Sequence, residues 1–289
     1  MNKLCDPMNP ALLHERSEFY LTLAQSFLTP QTEAHFRAIV DLLADDLADL
    51  DRSLNYGLAA PLDALCASLS ELSGPEQLLQ VYSRMFLQPP REVNLNVCFA
   101  LDGAMMGGTV TEIEQFYQHY GVERGDHFKD LPDHVSVQLE FVSYLYGRAA
   151  EGLENNRPDP EAEKAAQHFL YAFVRRWLPH FESGIAKAGR HLELKSNPYL
   201  PLAQILALAV AKDALAHQEW LKPKKQSELA MDKARQTYAS RGVTSEDMAD
   251  IERKLREHGL STDHLKVALE DRNAAMGLSA KSPPDPRRK

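Results

Sequence analysis

Residues 11–30 read Ala-Leu-Leu-His-Glu-Arg-Ser-Glu-Phe-Tyr-Leu-Thr-Leu-Ala-Gln-Ser-Phe-Leu-Thr-Pro. Leu12, Leu13, Arg16, Phe19, Tyr20, Leu23, Ala24 and Phe27 recur at steps of three and four, which gathers them on one face of a helix. Arg16 is the one polar member of that stripe. Pro30 stops the helix, because proline lacks the amide donor and its ring clashes with the preceding turn.

The same period runs outward along the chain. Thr32 is placed to cap a second helix bearing Phe36, Ile39, Val40, Leu43, Leu47 and Leu50. Pro61 suits a first helical position ahead of Leu62, Leu65, Cys66, Leu69 and Leu72. After the Gly74-Pro75 turn come Leu78, Leu79, Tyr82, Met85 and Phe86. Thr109 to Glu112 matches a capping box, opening a helix with Ile113, Phe116, Tyr117 and Tyr120 that ends at Gly121. Asp133 is expected to cap a helix with Leu139, Val142, Leu145 and Tyr146. Pro158-Asp159-Pro160 breaks the chain again. Further stripes hold Phe169, Leu170, Phe173, Val174 and Trp177, ended by Pro179, and Leu202, Ile205, Leu206, Ala209 and Val210. No stretch alternates with period two, and neither GxGxxG nor a P-loop occurs. The expected fold is all-α: one helical-bundle domain over 1–221, a helical C-terminal appendage over 222–278, and a disordered Pro- and Arg-rich tail over 279–289.

Composition narrows the function classes. Hydrophobic residues make up 44% of the chain and charged residues 25%, enough to bury a sizeable core. The net charge of −9 argues against nucleic acid, whose binding needs a basic surface. Cys5, Cys66 and Cys98 are odd in number and far apart, so neither a disulfide framework nor a zinc site is expected. The start of the chain has no apolar signal region, and no apolar run approaches the about 20 residues that span a bilayer. A cytoplasmic location without stable membrane insertion is expected. His119, His127 and His134 fall on different elements and form no HExxH-type array, and no serine lies in a G-x-S-x-G elbow. Neither a metal, a cofactor nor a catalytic residue is therefore assigned.

Two segments break the helical rhythm. Gln88 to Gly108 carries Pro89-Pro90, Gly103 and Gly107-Gly108 and reads as a long ordered loop, a kind that is usually functional. Before it, Tyr82 and Phe86 at i and i+4 fit either the core or an aromatic groove for an extended peptide. Leu131-Pro-Asp-His-Val-Ser-Val-Gln-Leu-Glu-Phe141 is the other. A charged histidine is unfavourable in the first turn of a helix, so His134 is either a contact point outside the helix or a neutral core residue.

Three blocks together resemble the TorD/DmsD/NarJ family of redox-enzyme maturation chaperones. They are Tyr82-x-x-Met-Phe86 followed by Pro89-Pro90; the helix from Val110 to Tyr120 with Pro132-Asp-His-x-x-x-x-Leu-Glu-Phe141; and Phe169-Leu170, Phe173, Trp177-Leu-Pro179 and Phe181. Order and spacing agree over roughly residues 15–220. The resemblance implies a TorD-like helical fold without enzymatic activity. It also implies binding to the apo catalytic subunit of a molybdopterin (molybdenum) oxidoreductase during cofactor insertion, and to that subunit's twin-arginine signal peptide before export. Chaperones of type II dimethyl-sulfoxide-reductase-like enzymes are the nearest group. Tyr82, Phe86, Pro89, Pro90, Pro132, Asp133, His134 and Glu140 are the client-binding residues so implied. Val93-Asn-Leu-Asn-Val-Cys98 lacks the acidic residue that the family often has there, and the appendage exceeds the usual family length. Two other readings compete: a helical enzyme using Asp133 and His134 as an acid–base pair, and a helical adaptor.

Overall fold

The computed structural model describes residues 9–89, 93–104, 107–122, 131–217 and 253. The chain divides into two units, Met1–Gln236 and Thr237–Lys289. Of the second unit only Arg253, helical and exposed, is described, so the expected appendage and tail otherwise lie outside the described residues.

The first unit is all-α. In chain order its helices are α1 (Pro10–Ser26), α2 (Glu33–Arg37), α3 (Leu43–Leu54), α4 (Ala59–Ser70), α5 (Pro75–Tyr82), α6 (Phe99–Asp102), α7 (Gly108–His119), α8 (Val135–Glu154), α9 (Pro160–Phe169), α10 (Arg175–His191) and α11 (Tyr199–Asp213). Among the described residues there is no strand, and no helix is long and apolar enough to cross a membrane.

Helix α1 lies along α8, its most extensive neighbour. It buries Leu13, Phe19, Tyr20, Leu23 and Ala24, members of the stripe read from the sequence. Ser17 Oγ donates to the Ser143 carbonyl at 2.8 Å, and Gly147 faces Ser17 where a Cβ would come within 3.2 Å. Helix α11 buries Leu202, Ala203, Ile205, Leu206, Ala209 and Val210 and leaves Leu208, Ala211 and Lys212 exposed on its other side.

Arg16, the polar member of the stripe, meets a buried acid. Its Nε lies 3.5 Å from Asp213 Oδ1 and its Nη1 3.5 Å from Glu163 Oε1. Tyr20 donates to Asp213 Oδ2 at 3.0 Å, and Tyr56 donates to the same oxygen. The guanidinium also sits 5.7 Å from the Tyr146 ring centre. One charged cluster thereby joins α1, α8, α9, α11 and the turn after α3.

Thr32 caps α2 by accepting from His35 N–H at 3.1 Å, as read. Four local features differ from the sequence reading. Three π segments, Ala38–Leu42, Ser83–Leu87 and Leu170–Val174, continue α2, α5 and α9. In the second, Gln88 N–H reaches the Ser83 carbonyl at 2.9 Å, a step of five residues. Pro179 does not end its helix but lies inside α10; it falls little more than one turn past the π segment Leu170–Val174, where the hydrogen-bond ladder has already been interrupted. The long loop contains the short helix α6. The capping box does not form as read: α7 begins at Gly108, and Asp102 from α6 accepts both Thr109 N–H at 2.9 Å and Thr109 Oγ1 at 2.8 Å. Gly107 permits this approach, because a Cβ there would sit 2.2 Å from Asp102 Oδ2.

Glu193, just past the end of α10, holds φ at +49°, a left-handed conformation that glycine adopts without steric cost. Glu193→Gly is expected to raise the unfolding free energy by about 0.5–1 kcal/mol, read by urea denaturation. An unchanged or lowered midpoint would show that the glutamate side chain offsets the backbone strain.

Candidate functional site

The site is built where Val93–Cys98 crosses the start of α8. An isolated antiparallel bridge pairs Asn96 with His134. Val135 N–H donates to the Leu95 carbonyl at 3.0 Å, and Val97 N–H to the Asp133 carbonyl at 3.3 Å. The crossing is sealed, with Val93, Leu95, Asn96, Val97 and Cys98 all buried.

Asp133 is the centre of this crossing. Its side chain is fully buried. Oδ2 accepts Cys98 N–H at 3.1 Å and Oδ1 accepts Asn96 Nδ2 at 3.3 Å. Burial pushes its carboxyl up to about 6 against these donors, which favour the charged form. The reading of Asp133 as helix cap is therefore corrected. His134 caps α8, its Nδ1 accepting Ser136 N–H at 3.2 Å. The residue before it turns its carboxylate back toward the loop, where two donors converge instead of one. Nδ1 can accept only when unprotonated, which makes His134 a neutral, buried N-cap at 4% exposure. Asp133 and His134 are thus directed at different partners.

A polar chain extends inward from this point. Gln138 Nε2 donates to the Asp133 carbonyl at 2.9 Å, and Trp177 Nε1 donates to Gln138 Oε1 at 3.0 Å. Tyr117 donates to the Pro132 carbonyl at 3.0 Å. Gln138, Trp177 and Asn96 were not singled out as site residues from the sequence. The available signal was Gln138, a polar residue between Val137 and Leu139 on a face that is otherwise apolar.

The remaining candidates separate by exposure. Tyr82 and Phe86 are buried, their rings 5.1 Å apart, and Phe86 stacks on Phe181 at 6.4 Å. Tyr82 donates to the Phe27 carbonyl at 3.2 Å. Pro132 is buried, whereas Pro89 and Glu140 are exposed. Partial desolvation raises the Glu140 carboxyl. Pro90 lies outside the described residues, as does His127. Leu87, just before the Gln88–Gly108 segment, and Phe99, within it at the start of α6, are apolar side chains left exposed. Among the described residues no group of three His, Cys, Asp or Glu side chains is placed to hold a metal ion.

The family model described as nitrate reductase delta subunit matches residues 51–183, a span that contains Tyr82, Asn96, Asp133, Gln138 and Trp177. The chain is 25% identical over 181 residues to the chlorate reductase assembly chaperone protein of Ideonella dechloratans, covering 63% of this chain and 79% of that one. It is 25% identical over 176 residues to the chaperone protein TorD of Vibrio cholerae serotype O1 (strain M66-2), covering 59% and 79%. These matches agree with the resemblance to the TorD/DmsD/NarJ family carried by the three sequence blocks. A shorter likeness, 26% over 92 residues and covering 32% of this chain and 44% of the other, joins it to the selenate reductase assembly chaperone protein of Thauera selenatis. The three sequence blocks that carry this resemblance are joined in the structure: the first meets the third through Phe86 and Phe181, and the second meets the third through Gln138 and Trp177.

Proposed function

We propose that this protein is a cytoplasmic assembly chaperone that binds the apo catalytic subunit of a molybdopterin oxidoreductase and holds it for cofactor insertion. The reading is supported by its relatives, which are named as assembly chaperones of chlorate and selenate reductases and as TorD. The single structural observation that carries it is the buried carboxylate of Asp133, which ties an irregular loop to the head of the longest helix. Such a tie holds a loop in one shape for recognition, and loops positioned by a rigid scaffold are where binding residues concentrate. The proposed client-binding face is the one built by the Gln88–Gly108 loop and the Pro132-Asp133-His134 turn, and Pro89, Phe99 and Glu140 are proposed as its exposed members. Tyr82, Phe86, Pro132, Asp133 and His134 are buried, so their proposed part is to support the exposed members and not to touch the client themselves. Guarding a twin-arginine signal peptide is part of the proposal, the acidic net charge being suited to a basic ligand. A type II client, of the chlorate or selenate reductase kind, is the class that the two assembly-chaperone relatives favour.

Pull-down of the candidate apo-subunit by the full chain tests the proposal. A complex that forms with the apo-subunit, and not with the cofactor-loaded one, is expected; no complex with either overturns it. His134→Ala is expected to lower client maturation more than folding, since loss of an N-cap costs only about 1 kcal/mol. Thermal melts set beside client activity read this out. Proportionate losses in both would reduce His134 to a structural cap.

A further inference from the structure

Gln138 is fully buried on α8, and both ends of its amide are engaged. The indole N–H of Trp177 can only donate, so its 3.0 Å contact fixes which end is which: Oε1 faces α10 and Nε2 faces the Asp133 carbonyl. That carbonyl accepts twice, from Gln138 Nε2 at 2.9 Å and from Val97 N–H at 3.3 Å. The shorter bond comes from the helix side chain, so Gln138 sets where the carbonyl points and the loop amide follows it. Val97 leads directly into Cys98, whose N–H is taken by Asp133 Oδ2, and Cys98 is the N-cap residue of α6. A line of donors and acceptors thus runs from α10 through α8 to the base of α6, where Phe99 is exposed. Helix α10 meets the same loop at a second point, where a Cβ on Gly184 would stand 3.6 Å from Val93 Cγ2, and α6 itself packs on α10.

We infer that Trp177 and Gln138 are positioning residues for client binding: they hold the segment from Val93 to Asp102 in the shape that presents Phe99, although both side chains are themselves buried. The inference rests on the reading of this protein as a chaperone whose client meets the Gln88–Gly108 loop. A core alone asks for no such pair, because an amide taken out of water costs free energy unless its polar ends are bonded, and an apolar side chain at 138 would avoid that cost. The pair instead has one arrangement. With the amide inverted, Nε2 would face the indole N–H and Oε1 the Asp133 carbonyl, which sets donor against donor and acceptor against acceptor. Phe181 meets the indole edge-on, with ring centres 5.7 Å apart, and keeps the Trp177 ring in place. A loop held beforehand in its binding shape loses little freedom when the client arrives, and that saving appears as affinity.

Amide hydrogen exchange on the full-length protein reads the fixing of the loop, as the rate at Val97 relative to that at Leu145 in the body of α8. Gln138→Met keeps roughly the side-chain volume and removes both polar ends. Trp177→Phe removes the indole N–H, keeps a ring, and serves where the first variant does not fold. In each the relative rate at Val97 is expected to rise about fivefold or more, the effect of one hydrogen bond, and affinity for the candidate apo-subunit, titrated by calorimetry, to fall by a similar factor. Leu23→Ala, a truncation of a fully buried side chain on α1, lowers stability without touching the chain of bonds, and should leave both the ratio and the affinity at their wild-type values. An unchanged ratio at Val97 in the two variants overturns the inference, as does a raised ratio with undiminished affinity, or an equal loss of affinity in Leu23→Ala. If the wild-type chain does not bind the apo-subunit, the chaperone reading falls, and the role assigned to Trp177 and Gln138 falls with it.

Discussion

Asp133→Ala is expected to lower the unfolding free energy by about 3 kcal/mol or more. The substitution leaves the Cys98 N–H and the Asn96 amide without their acceptor in a place water does not reach, and each orphaned buried donor costs about 1–3 kcal/mol. Asp133→Asn separates charge from shape, since an amide offers one acceptor where the carboxylate offers two. The pH dependence has a definite sign. The folded-state value of about 6 lies above the ordinary 3.8, so the folded protein holds this proton more tightly than the unfolded chain does. The stability that comes with that proton is present at low pH and is lost as pH rises from about 4 to about 6, by at most about 3 kcal/mol. Urea denaturation of wild type and Asp133→Asn across this range should show the wild-type advantage shrinking as pH rises. An advantage that grows instead would mean that the two donors, and not burial, govern the carboxyl.

Arg16→Leu is expected to cost about 3–5 kcal/mol, because it strands the Asp213 carboxylate, 5% exposed, among tyrosines without its counter-charge. Burial already raises the Asp213 carboxyl, and Arg16 is the strongest influence holding it down. Removing both charges as Arg16→Leu/Asp213→Leu should restore much of the loss, since replacing a whole buried pair with apolar groups is often close to neutral. A double-mutant cycle by chemical denaturation reads the coupling. A single-variant loss below about 1 kcal/mol would show that water reaches the cluster.

Helices were the legible part of this chain because their cause is local. The stripe from Leu13 to Ala24 is buried in the structure, and Arg16 interrupts it for a partner almost two hundred residues away that periodicity cannot reveal. The same limit explains the misread caps. Asp133 stands where a cap would stand, yet its side chain answers donors at positions 96 and 98, while the histidine beside it does the capping. Thr109 likewise opens a capping-box pattern but is bound by Asp102. Pro179 reads as a stop because the π segment ahead of it leaves no trace in a period count. The Pro132–Phe141 segment stood out in the sequence; its partners Asn96 and Trp177 did not, since adjacency in space was the missing information. Tyr82 and Phe86 fitted two readings, core or groove, and the structure places both rings in the core.

The π segments bear on how this chain is compared with others. Each carries one residue more than a regular helix of the same rise would need. A homologue whose corresponding helix is regular will align with a single-residue gap inside the helix, at 38–42, 83–87 or 170–174, and its residues will match on both sides of that gap. Such gaps are ordinarily penalised and pushed into loops. Here, moving the gap from 83–87 to the loop beyond would shift every residue between them by one position, and would set the wrong side chain opposite Met85 and Phe86.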